Sequence, residues 1–221
     1  MTNTLKMLNI LFPNSKDLGS VEGIIEKYRH KFGLNTDLRL AMFLAQVREE
    51  IGPEFKVVRE NLNYSPTALM KTYKAFNSKL ANEYGRSDGK KADQVVIANI
   101  AYANKLGNGS TDSDGDGDMD ADDDGWKYRG AGCLQITGKA NFAEVQKRCL
   151  KYAGKEFDPD TLEGFIVFGM AYWIQHDLYR IADRGTDLSV VDAITAKINK
   201  YTTSYDSRKE HYNKISHLIK N

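Results

Sequence analysis

Nothing in the 221 residues suits a membrane span, a disulfide scaffold or a zinc hydrolase. No apolar run approaches the roughly 20 residues that cross a bilayer. Cysteine occurs twice, at Cys133 and Cys149. Two are too few for a disulfide framework, so free thiols in a reducing compartment are expected, with a single bridge as the alternative. The four histidines (His30, His176, His211, His217) show no HExxH spacing, which leaves a helix-borne zinc pair unsupported. Aromatic and basic residues do not interleave as a nucleic-acid groove requires, so no nucleic-acid partner is expected. The start, MTNTLKMLNILFPNS, lacks a small-residue cleavage site and reads as a short helix instead of a signal peptide. The expectation is a chain that stays in the cytoplasm of the producing cell until something releases it.

Repeats, linkers and runs of alternating strand pattern are missing too. What is present is helical periodicity. Val21, Ile24, Ile25, Tyr28 and Phe32 recur at helical spacing and stop at Gly33. Leu40, Phe43, Leu44, Val47 and Ile51 form a second stripe. Ser65 before Pro66 reads as an N-cap and first helical residue, opening a helix to about Phe76. Further helices are expected over 92–106, 139–153, 165–182, 188–198 and 206–220. The long non-helical stretch is 107–138, and long loops in compact domains are usually functional or disordered. The expected fold is mainly α, a single domain over 1–221 carrying a long loop insertion. A composition of 41% hydrophobic and 28% charged residues is ordinary for a soluble globular protein.

The net charge of +1 conceals an asymmetry. Asp112–Asp124 holds eight of the 30 acidic residues and no Lys or Arg. The remainder carries 31 basic and 22 acidic residues, a net of +9. A cationic body favours anionic polymers such as bacterial wall material, although charges of this kind also serve simply as a solvated surface.

Two carboxylates invite a chemical reading. Glu50 lies seven residues after Phe43 and three after Val47, at the border of an apolar stripe. Glu49 is turned away by roughly one hundred degrees, the helical step. A carboxyl group beside apolar side chains is desolvated, which raises its pKa and suits a general acid. The alternative for Glu50 is a helix-end residue paired with an arginine. Glu60 stands in a loop between Arg59 and Asn61, where better solvation would keep it ionised for use as a base. Its alternative is a role at the start of the following helix. One carboxyl group to protonate a leaving oxygen and another to activate water is the equipment of glycoside hydrolysis. The segment Tyr128–Thr137 mixes glycines with Gln135 and Thr137, which alternate with Leu134 and Ile136. Glycine permits close backbone approach to a ligand.

The runs AQVREEIGPEFKVVRENLNYS, YANKLGNG and DGWKYRGAGCLQITGKANF, continued by Ala171-Tyr172-Trp173 and Ile198-Asn199, resemble the family 19 glycoside hydrolases. The likeness is nearest to their lysozyme-like branch, the bacteriophage endolysins, and covers most of the chain from about residue 20. It implies a lysozyme-like or chitinase-like helical fold and inverting hydrolysis. It implies Glu50 as general acid, Glu60 as second catalytic carboxylate and Thr137 as the hydroxyl that holds the nucleophilic water. Tyr64, Gln135, Asn141, Asn199 and Arg208 match positions of the sugar-binding cleft and its charge network. The branch implies peptidoglycan as substrate, a holin for access to the wall, and a monomer. The sequence departs from the family at Glu49-Glu50-Ile51, where a His-Glu-Ser or His-Glu-Thr is usual. It departs again at Ala131, in place of an arginine, and at Lys200-Tyr201, in place of two glycines.

DSDGDGDMDADD sets Asp112, Asp114 and Asp116 at loop positions 1, 3 and 5, with Gly117 at 6, Asp118 at 7, Asp120 at 9 and Asp123 at 12. That is EF-hand-like calcium spacing with Asp at the final position. Crowded carboxylates repel unless a cation neutralises them, so Ca2+ bound within 112–123 is expected; the alternative is a disordered acidic insertion. Against the family pattern the loop is an insertion. Two functions are compatible with these features: a wall-lytic glycosidase, with a chitinase as its nearest rival, and a non-catalytic calcium-dependent wall-binding protein.

Overall fold

The computed structural model describes residues 1–220. Twelve helices are found among the described residues: α1 (Asn3–Leu11), α2 (Leu18–Tyr28), α3 (Asp37–Ile51), α4 (Pro66–Thr72), α5 (Ser78–Tyr84), α6 (Gln94–Tyr102), α7 (Asp124–Lys127), α8 (Lys139–Ala153), α9 (Leu162–Gln175), α10 (Leu178–Ala182), α11 (Leu188–Asn199) and α12 (Tyr205–Ser216). Apart from an isolated bridge between Ser87 and Lys90, no strand pairing occurs among the described residues. The mainly α expectation holds. The chain divides into two compact units, Met1–Val58 with Ala131–Gln135 and Glu144–Asn221, and Arg59–Gly130 with Ile136–Ala143.

In the first unit the helices start where side-chain caps stop the chain. Thr2, Asp17, Thr36 and Thr161 each accept a hydrogen bond from the backbone N–H three residues on, which satisfies a donor that the helix itself leaves orphaned. Helix α3 is the centre of this unit. Every residue from Leu40 to Val47 is buried, not only the expected stripe, because α1, α10 and α12 pack around it. Phe43 meets Trp173 of α9 edge to face, with centroids 5.7 Å apart. Each fully buried side chain of that size contributes roughly 1.5–3 kcal/mol. Gly164–Ala171 of α9 is a second continuous buried run. Gly169 lets the Ala131–Gln135 segment pass: a Cβ there would lie 2.2 Å from Cys133 Sγ. Cys133 N–H donates to Phe165 O at 2.9 Å. Both cysteines are buried and unpaired; burial pushes both thiols up, Cys149 to about 12.

The expected single helix over 165–182 is two. It starts earlier, at Leu162, and breaks after Gln175, where Asp177 takes a left-handed conformation with φ +52°. The apolar periodicity runs through this break and conceals it.

The second unit has a smaller core of Leu62, Leu69, Phe76, Ile97 and Ile100 with flanking alanines. Tyrosines form its margin: Tyr73 packs edge to face on both Tyr64 and Tyr102, with centroids 5.6 and 6.1 Å apart. The Ser65 cap and Pro66 start of α4 are as expected. The helix ends at Thr72, however, and extended Tyr73 carries its ring into the aromatic cluster. Helix α5 follows an Asn77 cap that the sequence reading missed. Helix α6 ends at Tyr102 and not at 106, since Asn104 and Leu106 both adopt positive φ. One short helix, α7, interrupts the 107–138 stretch and packs on α6. Gly125 makes this possible, because a Cβ there would sit 2.5 Å from Asn99 Cα.

Candidate active site

In the first unit, Glu50 occupies the last turn of α3, just before Gly52 ends the helix with φ +77°. Helix α12 supplies its partner. Arg208 Nη2 donates to Glu50 Oε1 at 2.6 Å, Nη1 donates to Gln46 Oε1 at 2.8 Å, and Nε donates to Ser204 Oγ at 3.0 Å. The Arg208 side chain is only 2% exposed and that of Glu50 18%. Gln46 is itself buried and shares hydrogen bonds of 3.3 Å with Thr195 Oγ1. Glu50 Oε2 has no hydrogen-bond partner among the described residues. One oxygen is therefore fixed by a guanidinium and the other is left open. Glu50 is thus not simply a carboxyl group against apolar side chains; the arginine pairing weighed as its alternative is present, and the arginine is one the family likeness had assigned to the site.

Glu49 is not directed away from this helix. Its Oε2 accepts from Ser207 Oγ at 2.8 Å and contacts His211 Nε2 at 3.2 Å. Burial, and next the nearby Arg48 charge, hold the His211 imidazole below its ordinary range. The neutral tautomer with the proton on Nε2 suits that contact. Tyr172 of α9 has its phenol pushed up by burial and by the Glu50 charge.

In the second unit, Glu60 is half-buried and held by three donors. Tyr102 Oη donates to Oε1 at 2.5 Å, Tyr73 Oη to the same oxygen at 3.3 Å, and Gly130 N–H to Oε2 at 3.1 Å. In return Glu60 N–H donates to Gly130 O at 2.9 Å. The expected loop carboxylate is therefore a braced one. Burial and the Glu60 charge push the Tyr73 and Tyr102 phenols up, which keeps both as donors. Arg59 donates to Arg129 O at 3.2 Å. Gly138 N–H donates to Tyr128 O at 2.8 Å, and Asn141 Nδ2 caps Thr137 O at 2.7 Å. These bonds gather Glu60, Thr137 and Asn141 onto one bonded framework within this unit. Tyr64 is half-buried, beside Asn61, Asn63 and Arg86 in a cleft of about 280 Å³.

Of the remaining expected site residues, Gln135 belongs to the first unit, has φ +50°, and donates through Nε2 to Gly132 O at 3.1 Å. Asn199 is the exposed last residue of α11. Glu50 and Arg208 are the two expected site residues that this unit joins directly. The sequence reading missed Gln46, Tyr73 and Tyr102. Gln46 left a signal, a lone amide inside an apolar run one helical turn before Glu50. The two tyrosines left none.

The aspartate loop also lies in the second unit. Asp112, Asp114 and Asp116 each offer a carboxylate oxygen within 4.8 Å of the others. Gly115 and Gly117, with φ +83° and +101°, let the loop wrap; Asp112 accepts from both their N–H groups. Asp118 and Asp120 lie outside this group of three. Asp123 is fully buried and points inward, accepting from Ser113, Asp120 N–H and Asn99 Nδ2. It anchors the loop to α6, and Met119 packs against the core beside it. Three of the six expected ligands converge, then, while the twelfth position braces the loop.

No family model matches the chain. A protein of Haemophilus influenzae described as a glycosyl hydrolase family 19 domain-containing protein is 32% identical over 210 residues, covering 92% of this chain and 90% of that relative.

Proposed function

Because the chain belongs to glycosyl hydrolase family 19, we propose that it cleaves the β-1,4 glycan of bacterial peptidoglycan, by acid–base catalysis with inversion. Membership makes it a glycoside hydrolase; the choice of polymer is the further step. The observation that carries the catalytic reading is the fixing of Glu50 by buried Arg208, with its second oxygen left open. In this reading Glu50 protonates the leaving oxygen. Glu60, braced by Tyr73, Tyr102 and Gly130, takes a proton from the attacking water, and Thr137 orients that water. Preorganised groups of this kind cost no reorganisation when charge develops. Tyr64, Gln135, Asn141 and Asn199 would line the glycan path.

The preference for peptidoglycan over chitin is supported by the +9 balance outside the aspartate loop and by the endolysin-like motifs. The role that follows is host-wall lysis by an enzyme that a holin admits to the wall from the cytoplasm. Calcium completes the proposal. Asp112, Asp114 and Asp116 supply the oxygen donors this ion accepts at flexible geometry, and its charge would relieve the carboxylate repulsion and order the loop. The deciding experiment offers purified peptidoglycan and chitin oligomers side by side. New reducing ends from peptidoglycan are expected. Ends from chitin alone would make the enzyme a chitinase, and binding without new ends from either would make it a wall-binding protein.

A further inference from the structure

The second unit carries two adjoining clefts that share Asn63 and Arg86. One, of about 280 Å³, is lined by Asn61, Asn63, Tyr64 and Arg86. The other, of about 440 Å³, adds Lys90 and Lys91 with Ser65, Ser87 and Asp88. Asn61, which lines the smaller cleft, directly follows Glu60 in the chain. The cationic side is built on a constrained turn. Ser87 and Lys90 exchange two backbone hydrogen bonds of 3.0 Å around Gly89, whose φ is +76°. Arg86 N–H donates to Tyr64 O at 2.9 Å. Gly85 brings this turn close against the start of α4, where a Cβ would sit 2.9 Å from Pro66 N and 2.5 Å from Ala81 O. Lys90 Nζ donates to Glu83 O, which fixes the ammonium without neutralising it. The Arg86 guanidinium and Lys91 ammonium have no hydrogen-bond or ion-pair partner among the described residues. Three cations thus meet a single anion, Asp88, at the end of an amide-lined cleft.

A neutral glycan gives three cations nothing to pair with. Asn61, Asn63 and Tyr64 suit sugar hydroxyls and acetamides; Arg86, Lys90 and Lys91 suit carboxylates, Arg86 through a bidentate fork. We infer that this double cleft reads a carboxylate on a side arm of the glycan, and so selects a carboxylate-bearing amino-sugar polymer over chitin. The inference rests on the peptidoglycan reading of the same site. In peptidoglycan the carboxylate belongs either to the lactyl arm, once its peptide is removed, or to the peptide itself.

The test is co-sedimentation of the full chain with insoluble walls, which needs no turnover. Three preparations are used: intact walls, walls stripped of peptide, and walls whose carboxylates have been converted to amides. Arg86→Gln/Lys91→Gln is compared with wild type and with Lys147→Gln/Lys151→Gln, which removes equal charge from exposed positions of α8. Wild type and the α8 variant should bind intact walls about tenfold more tightly than amidated walls, the worth of two exposed ion pairs. The cleft variant should bind both equally, at the weaker level. Retained preference on stripped walls assigns the lactyl carboxylate, and loss of it there assigns the peptide. Wild-type binding indifferent to amidation, an unaltered cleft variant, or an equal loss in the α8 variant would each overturn the inference. Failure to release reducing ends from walls that still bind in this pattern would instead overturn the glycosidase reading.

Discussion

Replacing Arg208 by leucine should destabilise the first unit far more than its volume change suggests. The guanidinium is 2% exposed and donates to three side chains, Glu50, Gln46 and Ser204. Its removal leaves the Glu50 carboxylate, 18% exposed, without a counter-charge. Breaking a buried pair from one side costs 3–5 kcal/mol, and the residual exposure of Glu50 favours the lower end, about 3 kcal/mol. For a chain of this size that corresponds to a fall of about 6–12 °C in Tm. Adding Glu50→Leu to Arg208→Leu should recover most of the loss, to within about 1 kcal/mol of wild type, because an apolar pair of similar volume replaces a buried ion pair at little cost. Glu50→Gln alone keeps an acceptor for Arg208 but leaves the 2% exposed guanidinium without a counter-charge, and should likewise cost about 3 kcal/mol. Thermal and urea unfolding of the four proteins measures all of this. An Arg208→Leu protein within about 1 kcal/mol of wild type, or a double variant no more stable than Arg208→Leu, would refute the reasoning.

Tyr102→Phe removes a 2.5 Å donor from Glu60 and leaves the ring in place. It should lower kcat by about tenfold to a hundredfold, since a charge-assisted hydrogen bond is worth about 1.5–3 kcal/mol, while circular dichroism stays unchanged; undiminished kcat would show that Glu60 needs no brace. Lys27, first, and Lys155 hold Glu163 down from 4.5 to about 2. The folded carboxyl titrates below the unfolded one, so its stabilisation is complete above pH 4.5 and drains away as pH falls from 4.5 toward 2. Glu163→Gln should accordingly flatten that limb of the stability–pH curve, and a curve that falls as steeply as wild type would refute the assignment. Calcium should raise Tm, with Asp112→Asn/Asp114→Asn/Asp116→Asn abolishing the increase, because a ligand bound only by the native state stabilises it; calorimetry without heat at millimolar calcium would remove the site.

Local signals in the sequence were legible where the chain itself enforces them. Helix α8 runs from Lys139 to Ala153 and stops before Gly154, at φ +79°, as its periodicity implies. Ser65 and Pro66 open α4 as capping rules require. Breaks made by a non-glycine residue in a left-handed conformation were not legible: Asp177, Asn104 and Leu106 look like any other polar or apolar position. Angular reasoning on α3 set Glu50 beside the apolar stripe, whereas its partner is Arg208 of α12, the pairing held as the alternative. It misjudged Glu49, because a long flexible side chain at a helix end still reaches α12 after a hundred-degree step. The braces of Glu60 come from residues 13 and 42 positions later, and no spacing rule joins them. In the aspartate loop the spacing set six aspartates as ligands, and the carboxylates of Asp112, Asp114 and Asp116 lie within 4.8 Å of one another. The spacing set Asp123 at the twelfth ligand position, and Asn99 and Ser113 draw that side chain into the protein.

The central claim is tested most directly by counting new reducing ends released from purified peptidoglycan by wild type, Glu50→Gln and Glu49→Gln. The three proteins are compared under conditions where all remain folded. Wild type should release ends steadily, and Glu49→Gln should stay within a few-fold of it. Glu50→Gln should fall by about a hundred- to ten-thousand-fold, the usual worth of a general acid. A folded Glu50→Gln protein that releases ends at the wild-type rate, or a silent Glu49→Gln beside an active Glu50→Gln, would contradict it.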